Sequence, residues 1–293
     1  MRYIVADLEW NNTYAPKTRG FINEIIEIGA VMLDESFDII SEFSCFIKPQ
    51  IGKKLRSTVK QLTHITNDDI NGGIPFTKAM SNFKRWIGSG DNVLLTWGDG
   101  DIRVMIDNFR YLNGIGNIPF LSYYADAQKY FQIRQGISKA NQIGLSTAAE
   151  SVGIQAEDYS HHRALDDSKL TAECLRRVLD RRELAKLITP CDDKFYQKLA
   201  FKPHAISNIN SPLIDKSLLS YTCEDCGCSG RQLSEWKYSN QYFRAVFKCP
   251  TCGKKVRVAV RFKKYFDRLE TRKTVTVIPD EKPDNVKKDC RAN

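Results

Sequence analysis

The sequence predicts a mixed α/β domain followed by a small β-rich module, and three observations carry that reading. Short apolar runs ending in turn residues alternate with amphipathic helical stretches through residues 1–190. Two matching Cys-x-x-Cys-Gly units, Cys223-Glu-Asp-Cys226-Gly227 and Cys249-Pro-Thr-Cys252-Gly253, then sit among β-type segments. Charge is also divided. Residues 1–190 balance 23 Lys and Arg against 23 Asp and Glu, while residues 191–293 hold 21 against 12, so the whole net charge of +9 lies in the last third. A length of 293 residues suits one sizeable domain plus a small second one.

The elements follow in order. Residues 2–8 form an apolar run that ends at acids, the mark of a buried strand. Residues 25–33 and 43–47 read as two more strands, with Asp34-Glu35-Ser36 as the break between them and Lys48-Pro49 as the stop. Residues 75–88 place Phe76, Met80, Phe83 and Trp86/Ile87 on one helical face. Residues 93–97 form a buried strand closing at Gly98, and a helix is expected over 101–112. Residues 147–153 form a short helix capped by Gly153. A long amphipathic helix is expected from Asp166 to Leu187, with Leu170, Cys174, Val178 and Leu184 near helical spacing. Three strands followed by alternating helix and strand imply a mixed sheet. The expected organisation is an α/β domain over 1–189, a linker over 190–216 carrying Pro190, Pro203 and Pro212, a cysteine module over 217–278, and a disordered tail over 279–293.

Composition narrows the function. At 42% hydrophobic and 27% charged residues the chain has ordinary globular composition. It lacks an apolar run of the ~18 residues that would span a membrane. Its start, MRYIVADLEW, lacks a signal-peptide layout, so a cytoplasmic protein without a membrane partner is expected. The local basic excess is the footprint of a polyanion partner. Nine cysteines in such a chain argue for metal binding over a disulfide framework.

Three acidic clusters stand out. Asp7 and Glu9 end the first strand two residues apart, so both project from one face, where a divalent cation would relieve their repulsion. Asp99 and Asp101 follow a strand in Trp97-Gly98-Asp99-Gly100-Asp101, whose glycines permit a tight strand-to-helix turn. His161-His162-Arg163-Ala164-Leu165-Asp166-Asp167 opens a helix. Each cluster alone also reads as exposed, turn-forming or helix-capping acids.

Their order, Asp7-Leu8-Glu9, then Asp101, then His162 through Asp167, resembles the DEDDh 3′→5′ exonuclease superfamily, which includes RNase T and the DNA polymerase III epsilon type. The resemblance covers residues 1–187 and extends to Glu24-Ile25-Ile26-Glu27-Ile28-Gly29-Ala30-Val31 and to Leu62-Thr63-His64-Ile65-Thr66. The Trp97–Asp101 turn is similar to the subgroup of the 3′ histone-mRNA exonuclease and the bacterial sporulation-inhibitor exonucleases. It implies a ribonuclease-H-like mixed sheet flanked by helices. It favours Asp101 over Asp99, His162 over His161 and Asp167 over Asp166. It also implies two Mg²⁺ or Mn²⁺ ions bridged by Asp7, with Glu9 and Asp167 on the ion holding the water and Asp101 on the other, and His162 as general base. The implied reaction releases nucleoside 5′-monophosphates from the 3′ end of nucleic acid, single-stranded RNA favoured over DNA. Leu8, Trp10 and Asn11 are the expected substrate contacts, Asn11 standing where many members place Thr. The alternative is a catalytically inactive nucleic-acid-binding regulator.

In the cysteine module, a Gly after each second Cys lets the chain turn so that backbone N–H groups face the thiolates. Cys223, Cys226, Cys249 and Cys252 would hold one structural Zn²⁺, in a spacing that resembles a zinc ribbon, with Cys228 as a bystander. Arg257, Arg261 and Lys263 alternate with apolar residues, and Tyr242, Arg244 and Lys248 share one parity. One sheet face is therefore expected to be basic, suited to phosphate contacts and base stacking or to a protein partner.

Overall fold

The computed structural model describes residues 1–138, 141–155 and 162–279. The first compact unit spans Met1–Ala200. Its strands are β1 (Arg2–Ala15), β2 (Gly20–Leu33) and β3 (Ile39–Phe46), followed by α1 (Ser57–Thr63), α2 (Asn67–Asn71) and α3 (Phe76–Ile87). Then come β4 (Asn92–Thr96), α4 (Gly100–Asn108), β5 (Tyr123–Asp126), α5 (Ala127–Arg134), α6 (Leu145–Ser151), α7 (Ala164–Arg177), α8 (Arg181–Ala185), β6 (Thr189–Pro190) and α9 (Asp193–Ala200). The sheet order is β3-β2-β1-β4-β5-β6. The β1–β2 and β2–β3 pairs are antiparallel, β1–β4 and β4–β5 parallel, and β5–β6 antiparallel.

Helices cover both faces of this sheet, which is why β2 is apolar without alternation from Ile28 to Leu33. Ile4, Ala6 and Leu8 of β1 pack with Phe76, Met80, Phe83 and Ile87 of α3. The opposite parity of β1, starting at Val5, faces Leu170, Cys174 and Leu175 of α7. Asp7 and Glu9 continue the Val5 parity, so the end of β1 aims its acids toward the α7 side.

Two expectations are corrected. The helix expected from Asp166 to Leu187 is two helices. The Tyr130 hydroxyl donates to the Val178 carbonyl and accepts from the Asp180 N–H, and the Asp180 carboxylate then caps α8 through the N–H groups of Arg182 and Glu183. Residues 190–216 are not a linker. Thr189 and Pro190 pair with β5, and Phe195 and Tyr196 of α9 enter the first core. Ile206 and Ile214 belong to the second core, because buried aromatic and branched side chains outweigh the three prolines.

The second unit begins at Phe201. It contains β7 (His204–Ala205), β8 (Arg231–Gln232), β9 (Lys237–Ser239), β10 (Tyr242–Lys248), β11 (Lys255–Lys264) and β12 (Leu269–Val277). The order is β12-β11-β10-β8, with β7 on β11 and β9 on β10. Phe243, Ala245 and Phe247 pack with Val256, Val258, Val260 and Phe262, while Arg244, Arg257 and Arg261 lie on the other parity. The expected tail lies outside the described residues apart from Pro279. Among the described residues no helix is long and apolar enough to cross a membrane.

Candidate active site

The site is assembled at the end of β1. A register shift between Glu9 and Trp10 marks a bulge in the β1–β2 ladder, a device that re-aims side chains beside functional sites. The Leu8 N–H donates to Asp101 Oδ1 at 3.2 Å, tying β1 to the first turn of α4. Gly98, at φ +85°, makes the turn into that helix. Its carbonyl accepts from the hydroxyls of Thr96 and Tyr124 at 2.5 and 2.9 Å. Asp101 is thereby buried, whereas Asp99 is exposed and paired with Arg103 at 2.8 Å.

The third segment is docked by β2. Gly29 lies opposite Asp7, and a Cβ there would fall 2.0 Å from the Leu165 nitrogen, so the first turn of α7 rests directly on the β2 backbone. Ser168 Oγ donates to the Gly29 carbonyl at 3.0 Å. Glu27, only 1% exposed, accepts from Arg163 at 2.9 Å and from the Ala164 N–H at 3.4 Å. This anchoring carries Asp167 to the acids of β1. Ligand atoms of Glu9, His162 and Asp167 lie within 4.8 Å of one another. His162 is exposed and holds a left-handed φ of 62°, while His161 lies outside the described residues.

A cavity of about 500 Å³ results, lined by Asp7, Asp101, His162 and Asp167 together with Trp10 and Trp97. Its carboxylates repel one another. Burial, then Asp101, Asp167 and Glu9, push Asp7 well above the usual carboxylate range. Burial, then Asp167 and Glu27, raise Glu9 to about 8. Burial raises Asp101 to about 7 against the opposing Leu8 N–H. The nearby Arg163 guanidinium is already held by Glu27. Oxygen donors that cannot all remain charged side by side fit hard divalent cations.

Two expected substrate contacts are elsewhere. The Leu8 side chain is 3% exposed and belongs to the core beneath the sheet, because the even parity of β1 faces α3 and α4. Asn11 is 1% exposed: its Oδ1 accepts from the Arg56 N–H and its Nδ2 donates to the Lys54 carbonyl, closing the loop between β3 and α1. Sequence reasoning missed Trp97 as a cavity wall and the Glu27–Arg163 anchor. The indole of Trp97 is fixed by donation to the Ile143 carbonyl at 3.1 Å. A Trp at the end of a buried strand was the available signal for it. The pairing of Glu27 with Arg163 had none.

In the second unit, one ligand atom from each of Cys223, Cys226, Cys249 and Cys252 lies within 4.8 Å of the others. The Gly227 and Gly253 N–H groups close each turn onto the carbonyls of Cys223 and Cys249, at φ of 69° and 75°. The Asp225 N–H lowers the Cys223 thiol to about 6. Four converging thiols with N–H groups aimed at them fit a tetrahedral Zn²⁺.

A six-stranded mixed sheet, helices on both faces and an acidic cavity at the end of its first strand define a ribonuclease-H-like nuclease fold. The chain belongs to the RNase T exonuclease family, whose model matches residues 4–175. It is similar to the DNA polymerase III PolC-type of Clostridium perfringens, 30% identical over an alignment of 185 residues that covers 59% of this chain and 11% of the polymerase. It is also similar to the probable 3′-5′ exonuclease KapD of Bacillus subtilis, 25% identical over 61% of this chain and 84% of that protein. Among solved structures, the nuclease domain of 3′hExo, a DEDDh family member bound to rAMP, superposes with a TM-score of 0.55 at 25% identity, covering 62% of this chain and 94% of that domain.

Proposed function

We propose that this protein is a 3′→5′ exonuclease that removes nucleoside 5′-monophosphates from single-stranded 3′ ends, RNA in preference to DNA. The observation that carries the proposal is the convergence of Asp7, Glu9, Asp101, Asp167 and His162 from three remote segments. Asp7, Glu9, Asp101 and Asp167 would hold two Mg²⁺ or Mn²⁺ ions, which when bound stabilise the attacking and leaving oxygens of an in-line phosphoryl displacement. His162, exposed at the rim, accepts the proton of the attacking water. The new P–O bond forms as the bond to the 3′ oxygen of the penultimate nucleotide breaks, and that oxygen takes up a proton. Trp10 and Trp97 wall the cavity and offer faces on which the terminal base stacks. The RNA preference rests on the likeness to 3′hExo with bound rAMP; the polymerase relative makes DNA the competing substrate.

In this reading the first unit performs the chemistry. The second holds one structural Zn²⁺ on its four cysteines and turns its basic face, with Tyr242 between Arg244 and Arg261, toward nucleic acid. A protein partner on that face is the competing assignment. Thiolate zinc ligands suit the reducing cytosol as the place of action.

The test is incubation of 5′-labelled single-stranded RNA and DNA of one sequence with Mg²⁺ or Mn²⁺, beside Asp7→Ala and EDTA controls. A ladder shortening from the 3′ end, abolished by both controls and faster on RNA, is expected. Strands that bind but stay intact would make the protein a non-catalytic binder.

A further inference from the structure

Two buried hydroxyls converge on one carbonyl beneath the acidic cavity. β4 is apolar from Val93 to Leu95 and ends in the buried Thr96. Tyr124 of β5 is buried too, its ring packed on Phe195 with centroids 5.6 Å apart. Both hydroxyls donate to the Gly98 carbonyl, and their oxygens stand 3.0 Å from each other. A carbonyl oxygen has two lone pairs, so the two donors fill it. The other side of the turn is held as well. The Gly98 N–H faces the Asp126 carboxylate, which also accepts from the Lys129 N–H at 2.9 Å. A Cβ on Gly98 would lie 3.3 Å from Gln128 Oε1. β4, β5 and α5 thus fix one glycine together.

A buried turn carbonyl needs a single donor to escape the cost of lying unpaired. Two donors drawn from different strands exceed that requirement, and Asp101 stands three residues further on. α4 begins at Gly100, so the plane of the Gly98 peptide sets the direction in which the helix leaves the sheet. Asp101 lies in its first turn and reaches β1 through the Leu8 N–H at 3.2 Å. Its carboxylate is repelled by Asp7 and Asp167, and a lone hydrogen bond of that length is a weak hold against them. The fixed origin of the helix supplies the rest. Mg²⁺ demands near-ideal octahedral geometry at about 2.1 Å, whereas Ca²⁺ accepts about six to eight oxygens in looser arrangements. A carboxylate whose helix cannot drift suits the smaller ion.

We propose that Thr96 and Tyr124 are positioning residues of the metal site: they clamp the Gly98 carbonyl, hold the start of α4, and through it keep Asp101 in the narrow geometry that favours Mg²⁺ over Ca²⁺. The clamp rests on the exonuclease reading of the acidic cavity. Neither side chain lines that cavity, so both act through the backbone.

Calorimetric titration of Mg²⁺ and Ca²⁺ into the full chain tests this, beside kinetics on a ten-nucleotide single-stranded RNA. Tyr124→Phe should weaken Mg²⁺ binding about tenfold, as loss of a group that orients a metal ligand does, and Ca²⁺ binding less than about twofold. On the RNA, kcat in Mg²⁺ should fall by a similar factor with KM unchanged. Thr96→Val should reproduce the loss, and Thr96→Ser, which keeps the hydroxyl, should hold wild-type values. This pair decides the matter if Tyr124→Phe does not fold. Because the effect runs through Asp101, Tyr124→Phe should add nothing in an Asp101→Asn background. Unchanged Mg²⁺ affinity in Tyr124→Phe and Thr96→Val would overturn the clamp. Equal weakening of both cations, or losses that add in the double variant, would overturn it too and leave the hydroxyls an ordinary part of the core. A wild-type chain that binds Mg²⁺ without shortening the RNA would refute the exonuclease reading, and the ratio of the two cation affinities would still decide the clamp.

Discussion

The acidic cluster and the cysteine cluster both gather metal-ligating side chains, yet they relate to their folds in opposite ways. The acids come from β1, α4 and α7, and a two-faced core holds them together against their own repulsion. The cysteines come from two similar turns, and among the described residues the core they join is a single small cluster of twelve buried residues that includes Cys223 and Cys249. A small core gains much from a metal, so a zinc ion held by the four cysteines would act on the folding of the second unit. A large core tolerates strain, so the first unit can keep repelling carboxylates together, where the proposed function would place an ion that does chemistry. Under the proposed function, similar ligand clusters would serve stability in one place and reactivity in the other.

The largest effect that would break this contrast is loss of zinc. Chelation, or Cys223→Ser, should unfold the second unit, since structural zinc contributes on the order of 10 kcal/mol to such modules. Hydrogen exchange should show lost protection in β10 and β11 with β1 and β4 unaffected, and metal analysis should find one Zn²⁺ per chain. Persisting protection of β10 after chelation would mean that the core suffices without metal.

Next in size is Asp7→Asn. Turnover should fall about a thousandfold, the scale of removing one central transition-state contact. In EDTA the melting temperature should rise by a few degrees, because a repelling charge is gone. A lower melting temperature would show that Asp7 is not strained in the metal-free fold.

Gly29→Ala sharpens the role of backbone contact. The added Cβ would meet Leu165 N and Ala164 C at 2.0 and 2.1 Å, so α7 must move. A loss of about 3 kcal/mol in denaturant unfolding is expected, together with reduced activity as Asp167 shifts. Gly144→Ala, with open space around it and an ordinary φ of −66°, should be neutral or slightly stabilising.

The smallest effect is linkage to pH. Glu9 and Asp101 are raised to about 8 and about 7 from ordinary values of 4.5 and 3.8. Raised carboxyls contribute stability that is complete below their unfolded values and disappears as pH climbs through 7 to 8. The metal-free protein should therefore lose stability as pH rises from 4 to 8. Mg²⁺, which needs deprotonated carboxylates, should raise the melting temperature more at pH 8 than at pH 5. Calorimetry at the two pH values reads this, and an Mg²⁺ effect that shrinks with rising pH would refute the electrostatic account.

Much of the site was legible beforehand because its signals are local. Asp7 and Glu9 share a strand face by two-residue periodicity, the Trp97–Asp101 turn advertises itself through its glycines, and the cysteine pairs carry their chelating geometry in their spacing. Other features were not. The prolines between 190 and 216 suggested an open connection, whereas Phe195 and Ile206 are drawn into two different cores. Asn11 was placed near substrate, and a loop forty-five residues away uses its amide instead.

The sequence by itself thus determined the α/β class, the strand that carries the first acids and the paired cysteine turns, since each depends on the pattern within a few residues. Only the tertiary structure decided which remote groups meet. The Leu8–Asp101 contact spans 93 residues and the Glu27–Arg163 pair 136. The fit of α7 against a glycine of β2 and the grip of two hydroxyls on the Gly98 carbonyl are likewise products of packing. Such contacts follow from how whole layers close on one another, and no local periodicity encodes them.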